Sequence, residues 1–204
     1  LNTINFVEND TDTQALTASD LKAGDSVGII QNNASEPGTV TLGLKDASGS
    51  DDSLTVTLYG QDAAIALADN GIDDLSISSI ETLNIVSDVV VTLGNEQLKS
   101  TEGNTITDIS ADTALTTINA SGNDKLIMTV GSEATKLTTL DMSGMTYDTT
   151  ATLAAGSVAV TLGSGNDIIA FGTSLTSGDS VTDSGNRTAT TADRLTATIA
   201  GLST

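Results

Sequence analysis

Apolar and polar residues alternate over many short segments of the chain. In the segment Thr82-Leu83-Asn84-Ile85 the two aliphatic residues are separated by a polar one, and the same alternation returns around Ile118 and Leu140. Because successive side chains of a β-strand point to opposite faces, such a segment is predicted to be a strand with one apolar and one polar face. The pattern therefore predicts an all-β protein built from short strands.

Two short sequence words recur within this pattern. The first reads aliphatic, any residue, Thr, aliphatic, then Asn or Asp; the second reads Thr, Leu or Val, then Gly. Copies of the first word begin at Ile80, Leu115 and Leu137, and copies of the second begin at Thr92, Thr129 and Thr161. Repeated short strands joined by turns rich in Gly, Ser, Asn and Asp favour a parallel β-helix or β-roll-like solenoid in which like words stack. An antiparallel sandwich also alternates and is the alternative.

At most one or two short helices are predicted. Residues 61–70 contain good helix formers and are followed by Gly71, a common end of a helix. Residues 17–23 are compatible with a single helical turn capped by Thr17 or Ser19.

A longer repeat indicates how the chain is organised. Residues 21–27 reappear with substitutions as residues 175–181, and residues 52–60 reappear in the same order as residues 193–201. We therefore expect a first solenoid module over residues 1–162, irregular up to residue 75 and regular from 76, and the start of a second, homologous module over residues 163–204. The chain begins at Leu1 without a recognisable signal peptide, so we expect it to be part of a longer protein.

The composition excludes several classes of protein. The chain has 27 acidic residues against 7 basic ones, a formal net charge of −20, and neither His nor Cys. Zinc fingers and iron–sulfur clusters need nitrogen or sulfur ligands, and disulfides need cysteines. Nucleic acid is a poor partner because the chain would repel a phosphate backbone. No apolar run reaches the ~18 residues of a membrane span, so the chain is predicted not to cross a membrane.

No enzyme is predicted. The chain has no thiol nucleophile and no imidazole base, and its many hydroxyl groups have no base beside them. Some β-solenoids act on polysaccharides, but a sugar-binding cleft needs aromatic side chains on which to stack the rings. The whole chain offers four, which are Phe6, Tyr59, Tyr147 and Phe171. A polysaccharide-active enzyme is therefore disfavoured.

The turns carry the candidate chemistry. Ser121-Gly122-Asn123-Asp124 and Ser164-Gly165-Asn166-Asp167 are the same tetrapeptide. Gly and Asn allow a tight turn in which the carboxylate stands beside backbone carbonyls. Such a set of oxygen ligands suits Ca²⁺, whereas the simpler alternative is a solvated turn in which Asp caps its own backbone.

The second of these turns resembles a known calcium motif. Gly163-x-Gly165-x-Asp167-x-Ile169 is similar to the Gly-Gly-x-Gly-x-Asp repeat of RTX proteins, which binds Ca²⁺ in a parallel β-roll; Leu162 stands in place of the first glycine. The segment around Asp183 and Asp193 resembles an interrupted neighbouring repeat. The candidate Ca²⁺ ligands and turn residues are Gly163, Gly165, Asn166, Asp167, Asp183, Gly185 and Asp193, with Asn123 and Asp124 at the earlier turn.

Residues 76–204 as a whole resemble Gram-negative surface-layer proteins and related large RTX-type surface proteins. The resemblance is carried by Ile-Glu-Thr-Leu-Asn-Ile, Leu-Thr-Thr-Leu-Asp-x-Ser-Gly, Gly-Ser-Gly-Asn-Asp-x-Ile and Asp-x-Leu-Thr-Ala-Thr-Ile. It implies a secreted, Ca²⁺-stabilised structural protein that assembles with copies of itself into a lattice on the cell surface, where polysaccharide is a further candidate partner. The alternative is a spacer module of a large RTX-type adhesin.

Overall fold

A computed structural model describes residues 3–8, 15–31, 38–60, 70–89, 103–111, 113–154, 156–183 and 193–198. These residues form sixteen β-strands, and no helix is found among them. The strands are Thr3–Glu8 (β1), Leu16–Leu21 (β2), Ser26–Gln31 (β3), Thr39–Leu44 (β4), Ser53–Gly60 (β5), Asn70–Ser78 (β6), Thr82–Val89 (β7), Asn104–Ala111 (β8), Thr117–Gly122 (β9), Leu126–Val130 (β10), Thr139–Met145 (β11), Thr149–Leu153 (β12), Ala159–Leu162 (β13), Ile168–Ala170 (β14), Ser180–Asp183 (β15) and Arg194–Thr196 (β16).

The strands alternate between two parallel sheets. The odd-numbered strands form the first eight-stranded sheet in chain order, and the even-numbered strands form the second eight-stranded sheet in the same order. Each coil of the chain therefore adds one strand to each sheet, parallel to the strand of the coil before. The predicted all-β solenoid is confirmed, and the parallel pairing rules out the antiparallel sandwich.

The first sequence word stacks in register. Thr82 pairs with Thr117, and Thr117 pairs with Thr139, so the three copies align residue by residue as far as Asp141, after which the register between β9 and β11 shifts. The second word does not form one column, which corrects the expectation that all like words stack. Its copy at Thr129 lies in the second sheet, whereas its copy at Thr161 lies in the first sheet. The copy at Thr92 lies outside the described residues.

The core lies between the two sheets and follows the alternation of the sequence. In β7 the side chains of Leu83 and Ile85 are fully buried, whereas Thr82 and Asn84 are half-buried on the outer face. Stacking repeats each inward position from coil to coil, so burial of one aliphatic residue is supported by its neighbours above and below. At about 25 cal/mol per Å² of apolar surface removed from water, these columns are the main source of stability.

The helical turn predicted at residues 17–23 is wrong. Residues up to Leu21 belong to β2, in which Leu16 and Ala18 pair with Val40 and Leu42 of β4. The ladder and the burial of alternate residues outweigh the local capping preference of Thr and Ser. The helix predicted at residues 61–70 lies outside the described residues except for Asn70, which begins β6.

The two halves of the longer repeat share one feature and differ in another. In both copies of the first half the same turn precedes a strand of the first sheet: Lys22 N donates to Asp25 Oδ2 at 2.9 Å, and Thr176 N donates to Asp179 Oδ2 at 2.6 Å. The copies of the second half fall in different sheets, as β5 and β16. Both sheets continue without a break past residue 163, and the division into two modules stays a prediction.

Candidate metal-binding corner

The acidic turns lie along one corner of the solenoid. At this corner the chain passes from a strand of the first sheet to the next strand of the second sheet. We call these connections, together with the first residues of each second-sheet strand, the acidic corner. It carries Asp124 before β10, Asp148 before β12, Asp167 before β14 and Asp193 before β16. The two identical tetrapeptides therefore stand on the same corner with one coil between them, roughly 10 Å apart, because neighbouring strands are spaced by about 4.8 Å. At that distance the two turns cannot contribute ligands to one ion.

Asp167 and Asp193 come into contact on adjacent coils. Asp167 N donates to Asp193 Oδ1 at 3.1 Å, and Arg194 N donates to the Asp167 carbonyl oxygen at 2.8 Å. Two residues of the predicted set are thus in contact, through the backbone of Asp167 and the carboxylate of Asp193, although residues 184–192 intervene between their strands.

Two glycines let this turn pack against the preceding coil. A Cβ at Gly163 would lie 2.6 Å from the carbonyl oxygens of Met142 and Met145, and a Cβ at Gly165 would lie 2.8 Å from Asp148 N. Only a residue without a side chain fits at either position. The turn is further held by Asn166 N, which donates to Asp148 Oδ1 at 2.8 Å.

Asp167 is a buried carboxylate with incomplete hydrogen bonding. Its side chain is fully buried, and Oδ1 accepts a hydrogen bond from Thr149 N at 2.9 Å. Oδ2 is buried as well and accepts no hydrogen bond from any described residue. Burial raises the pKa of Asp167, the negative charge of Asp193 raises it further, and hydrogen bonds from Thr149 and Gly163 only partly oppose this pKa shift.

Asp183 shares a small cavity with Asp193. The cavity has a volume of about 160 Å³ and lies at the last described coil, where Asp183 pairs with Leu162 of β13. Its lining is completed by the side chains of Leu162, Ile169, Val181, Arg194 and Leu195. Of the predicted acidic ligands, Asp167 and Asp193 are thus in contact, and Asp183 lines the cavity at the same end of the solenoid. No group of three or more acidic residues within the described part of the chain is arranged to hold a metal ion. Gly185 lies outside that part.

The earlier turn is held by a different set of contacts. Asn123 N and Asp124 N both donate to the carbonyl oxygen of Ser87, at 3.0 and 3.2 Å. The Asp124 carboxylate is fully buried, and its Oδ1 accepts from Lys125 N at 2.9 Å. This turn therefore packs against the end of β7, and its carboxylate faces the interior of the solenoid.

Two fully buried polar residues that meet at this turn, Ser87 and Asn104, are not among the predicted site residues. Asn104 Nδ2 donates to Ser87 Oγ at 2.8 Å. A signal was available, because Ser87 continues the inward series of Leu83 and Ile85, and Asn104 precedes Ile106 by two residues. A polar residue at an inward position of an alternating strand marks a buried polar contact.

Comparisons with protein families, with curated proteins and with solved structures find no match to this chain. The described residues include no helix long and apolar enough to cross a membrane. The resemblance to surface-layer and RTX-type proteins therefore depends on the motifs quoted above.

Proposed function

We propose that the chain is a structural segment of an extracellular surface-layer protein: a Ca²⁺-stabilised β-solenoid that assembles with copies of itself on the cell surface. The observation that carries this proposal is the fully buried Asp167 carboxylate, which has an oxygen that no described residue bonds, at a turn where Asp167 N donates to the Asp193 carboxylate of the next coil. Cell-surface polysaccharide is a further partner that such a location would offer.

The electrostatics of the acidic corner favour a bound cation. Burying a carboxylate without enough donors costs free energy, and a second carboxylate beside it adds repulsion in a chain whose net charge is already −20. A hard divalent cation offsets both costs and prefers oxygen ligands, the donor type that Asp167 and Asp193 offer. Asp183, Asn166 and the backbone of Gly163, Gly165 and Gly185 complete the proposed ligand set, and Asn123 with Asp124 belongs to the second turn.

Ca²⁺ binding would then stabilise the fold by linkage. An ion that binds only the folded chain raises the free energy of unfolding with the logarithm of its free concentration, by about 2.7 kcal/mol at a hundred times Kd. The last coils gain most, because there the ion would join β14 to β16 through residues of both coils.

Thermal unfolding with Ca²⁺ and with a chelator tests this part of the proposal. We expect Tm of the chain to rise with Ca²⁺ concentration and Mg²⁺ to have a smaller effect, since Mg²⁺ keeps its waters more tightly. Asp167→Asn should reduce the response, whereas Asp51→Asn, at an exposed site remote from the acidic corner, should leave it intact. Equal Tm values with Ca²⁺ and with chelator would contradict the proposal.

Electron microscopy tests the assembly. An ordered two-dimensional sheet that forms with Ca²⁺ and disperses with chelator supports the surface-layer role. The alternative is a spacer in a large RTX-type adhesin, which is favoured by the coil-on-coil stacking, since a solenoid lengthens along one axis. Isolated rods under all conditions would support that spacer, and turnover of a polysaccharide would contradict both structural roles.

A further inference from the structure

Three consecutive strands of the second sheet carry no charged residue. They are β10, β12 and β14, with the sequences Leu-Ile-Met-Thr-Val, Thr-Thr-Ala-Thr-Leu and Ile-Ile-Ala. We call their outward, half-buried residues the neutral patch, which consists of Ile127, Thr129, Thr150, Thr152, Ile168 and Ala170. Two copies of a chain with a net charge of −20 repel each other, so a contact between copies is favoured where the surface has no charged side chains.

One column of the neutral patch is symmetric about Thr150. Ile127 pairs with Thr150 on the next coil, and Thr150 pairs with Ile168 on the coil after it. An aliphatic side chain therefore stands on each side of the central threonine, one strand spacing of about 4.8 Å away. A two-fold axis through Thr150 along the strand direction would place Ile127 of each copy against Ile168 of the other. An isologous contact between identical chains requires this kind of self-complementarity.

The strands that flank the neutral patch carry opposite charges. On one side, Asp108 of β8 pairs with Asp74 of β6. On the other side, β16 carries Arg194, which is exposed and pairs with Ile168. Strands β8 and β16 are equally far from β12 in the sheet, so the same two-fold axis places β16 of one copy over β8 of the other. Arg194 of each copy would then face the strand that carries Asp108 of its neighbour.

The outer face of the first sheet has no such patch over the same coils. Its strand β11 carries Asp141 between Asn119 of β9 and Thr161 of β13. A two-fold contact centred there would set one carboxylate against another, and like charges placed opposite each other disfavour association. Two copies therefore meet more favourably through the second sheet.

The size of the surface indicates how strong the contact is. Five strands from β8 to β16, spaced by about 4.8 Å and about five residues long, cover roughly 400 Å² of each copy. A stable pairwise interface takes about 800 Å² from each partner, so this contact is weak alone. A lattice tolerates weak contacts, because each copy is held by several neighbours at once.

We propose that the neutral patch is the surface through which two copies of the chain pack face to face, related by a two-fold axis at Thr150. This inference rests on the proposed self-assembly and names one contact that the assembly uses. It does not depend on an ion at the acidic corner.

Site-directed crosslinking tests the inference, because the chain has no cysteine of its own. Thr150→Cys places a thiol at the axis, so a short bismaleimide should join two copies into a covalent dimer. Thr161→Cys is the matched control, since Thr161 is a half-buried outward threonine on the opposite face, and it should stay monomeric. A mixture of Ile127→Cys and Ile168→Cys chains should yield more mixed dimer than both homodimers together.

Equal crosslinking of Thr150→Cys and Thr161→Cys, or none in either, would overturn the inference. An excess of homodimers in the mixture would refute the two-fold axis at Thr150. If Thr150→Cys fails to fold, Thr152→Cys on the same strand gives the same readout. Ordered sheets of the wild-type chain without crosslinking at Thr150 would refute this contact and leave the proposed function standing. Crosslinking at Thr150 without sheets would support the contact and contradict the surface-layer role.

Discussion

The same four residues, Ser-Gly-Asn-Asp, occur at two turns on one corner of the solenoid and do different things there. At the earlier turn Ser121 and Gly122 are still part of β9, and Asp124 precedes β10 by one intervening residue. At the later turn Ser164 and Gly165 have left β13, and Asp167 stands directly before β14. The later carboxylate therefore reaches Thr149 N on the preceding coil, whereas at the earlier turn the backbone of Asp124 bonds the Ser87 carbonyl and its carboxylate bonds Lys125 N.

This difference shows that a short word determines a type of turn but not its register. Asp124 Oδ1 bonds the amide of its own neighbour, Lys125, which is the local behaviour expected of an Asp in a turn. Asp167 Oδ1 bonds the amide of Thr149 on the preceding coil, and Asp167 N bonds Asp193 of the following coil. The coils above and below decide between the two outcomes.

The largest expected effect concerns the glycine of the tetrapeptide. Gly122→Ala combines a left-handed φ with a Cβ 1.8 Å from the Ser87 carbonyl oxygen, so we expect a loss of about 3 kcal/mol or more in the free energy of unfolding. Gly165→Ala, with its nearest contact at 2.8 Å, should cost about 1–3 kcal/mol. Urea denaturation measures both.

Gly156→Ala is the control for this series, because a Cβ there meets no atom of the described chain within 4 Å. It should change the free energy of unfolding by no more than about 0.5 kcal/mol. Equal losses at Gly122 and Gly165 would mean that the two turns are held alike, against the contacts described above.

The next largest effect is the pH dependence of stability to which Asp167 contributes. The pKa of Asp167 is raised in the folded chain, so the folded state binds its proton more readily than the unfolded state. In chelator, stability should therefore increase as pH falls from 7 through the raised pKa of Asp167, and this gain should be complete near the ordinary pKa of Asp. Asp167→Asn should flatten the profile and raise Tm at pH 7 by roughly 2–4 °C for each ~1 kcal/mol gained.

Asp108 on β8 contributes to the same profile with the same sign. Burial raises the pKa of Asp108, and the negative charges of Asp74 and Glu133 raise this pKa further. Asp108→Asn removes the contribution of Asp108 to the pH dependence. The contribution of Asp167 is then the difference between the pH profile of Asp108→Asn and that of the variant carrying both Asp108→Asn and Asp167→Asn. A pH profile that Asp167→Asn leaves unchanged would contradict the burial of Asp167 beside the negative charge of Asp193.

The smallest expected effect concerns the Asn of the later turn. The Asn166 side chain is exposed, and its backbone amide makes the shorter bond to Asp148 Oδ1, at 2.8 Å against 3.4 Å for Nδ2. Asn166→Ala should therefore change stability by less than about 0.5 kcal/mol, whereas Asp148→Ala should cost about 1 kcal/mol by removing the acceptor. Thermal unfolding in the presence of a chelator compares the two variants. A larger loss of stability in Asn166→Ala than in Asp148→Ala would show that the Asn166 side chain holds the turn.

The alternation of apolar residues was sufficient to predict the strands and the stacking of β7, β9 and β11. A repeated word fixes both which of its side chains point inward and which residues pair between neighbouring strands. The corner that brings Asp167 to Asp193 was also predictable in outline. Asn104 and Ser87 were not identified, since their contact joins β8 to the end of β7 and to a turn two strands later. The turn at residues 17–23 was misassigned for a related reason: pairing with β4 decides its structure, and local preferences do not reveal that partner.

Strand pairing in this fold places no demand on the length of the connections. The coil from Thr82 to Thr117 holds more residues than the coil from Thr117 to Thr139, yet Thr117 pairs with the threonine at the third position of the word in both ladders. The cost of closing a longer loop grows only slowly with its length. The connection between β7 and β8 should therefore accept an inserted peptide at little cost to the ladders, which makes it a suitable place for an epitope tag or a display cargo.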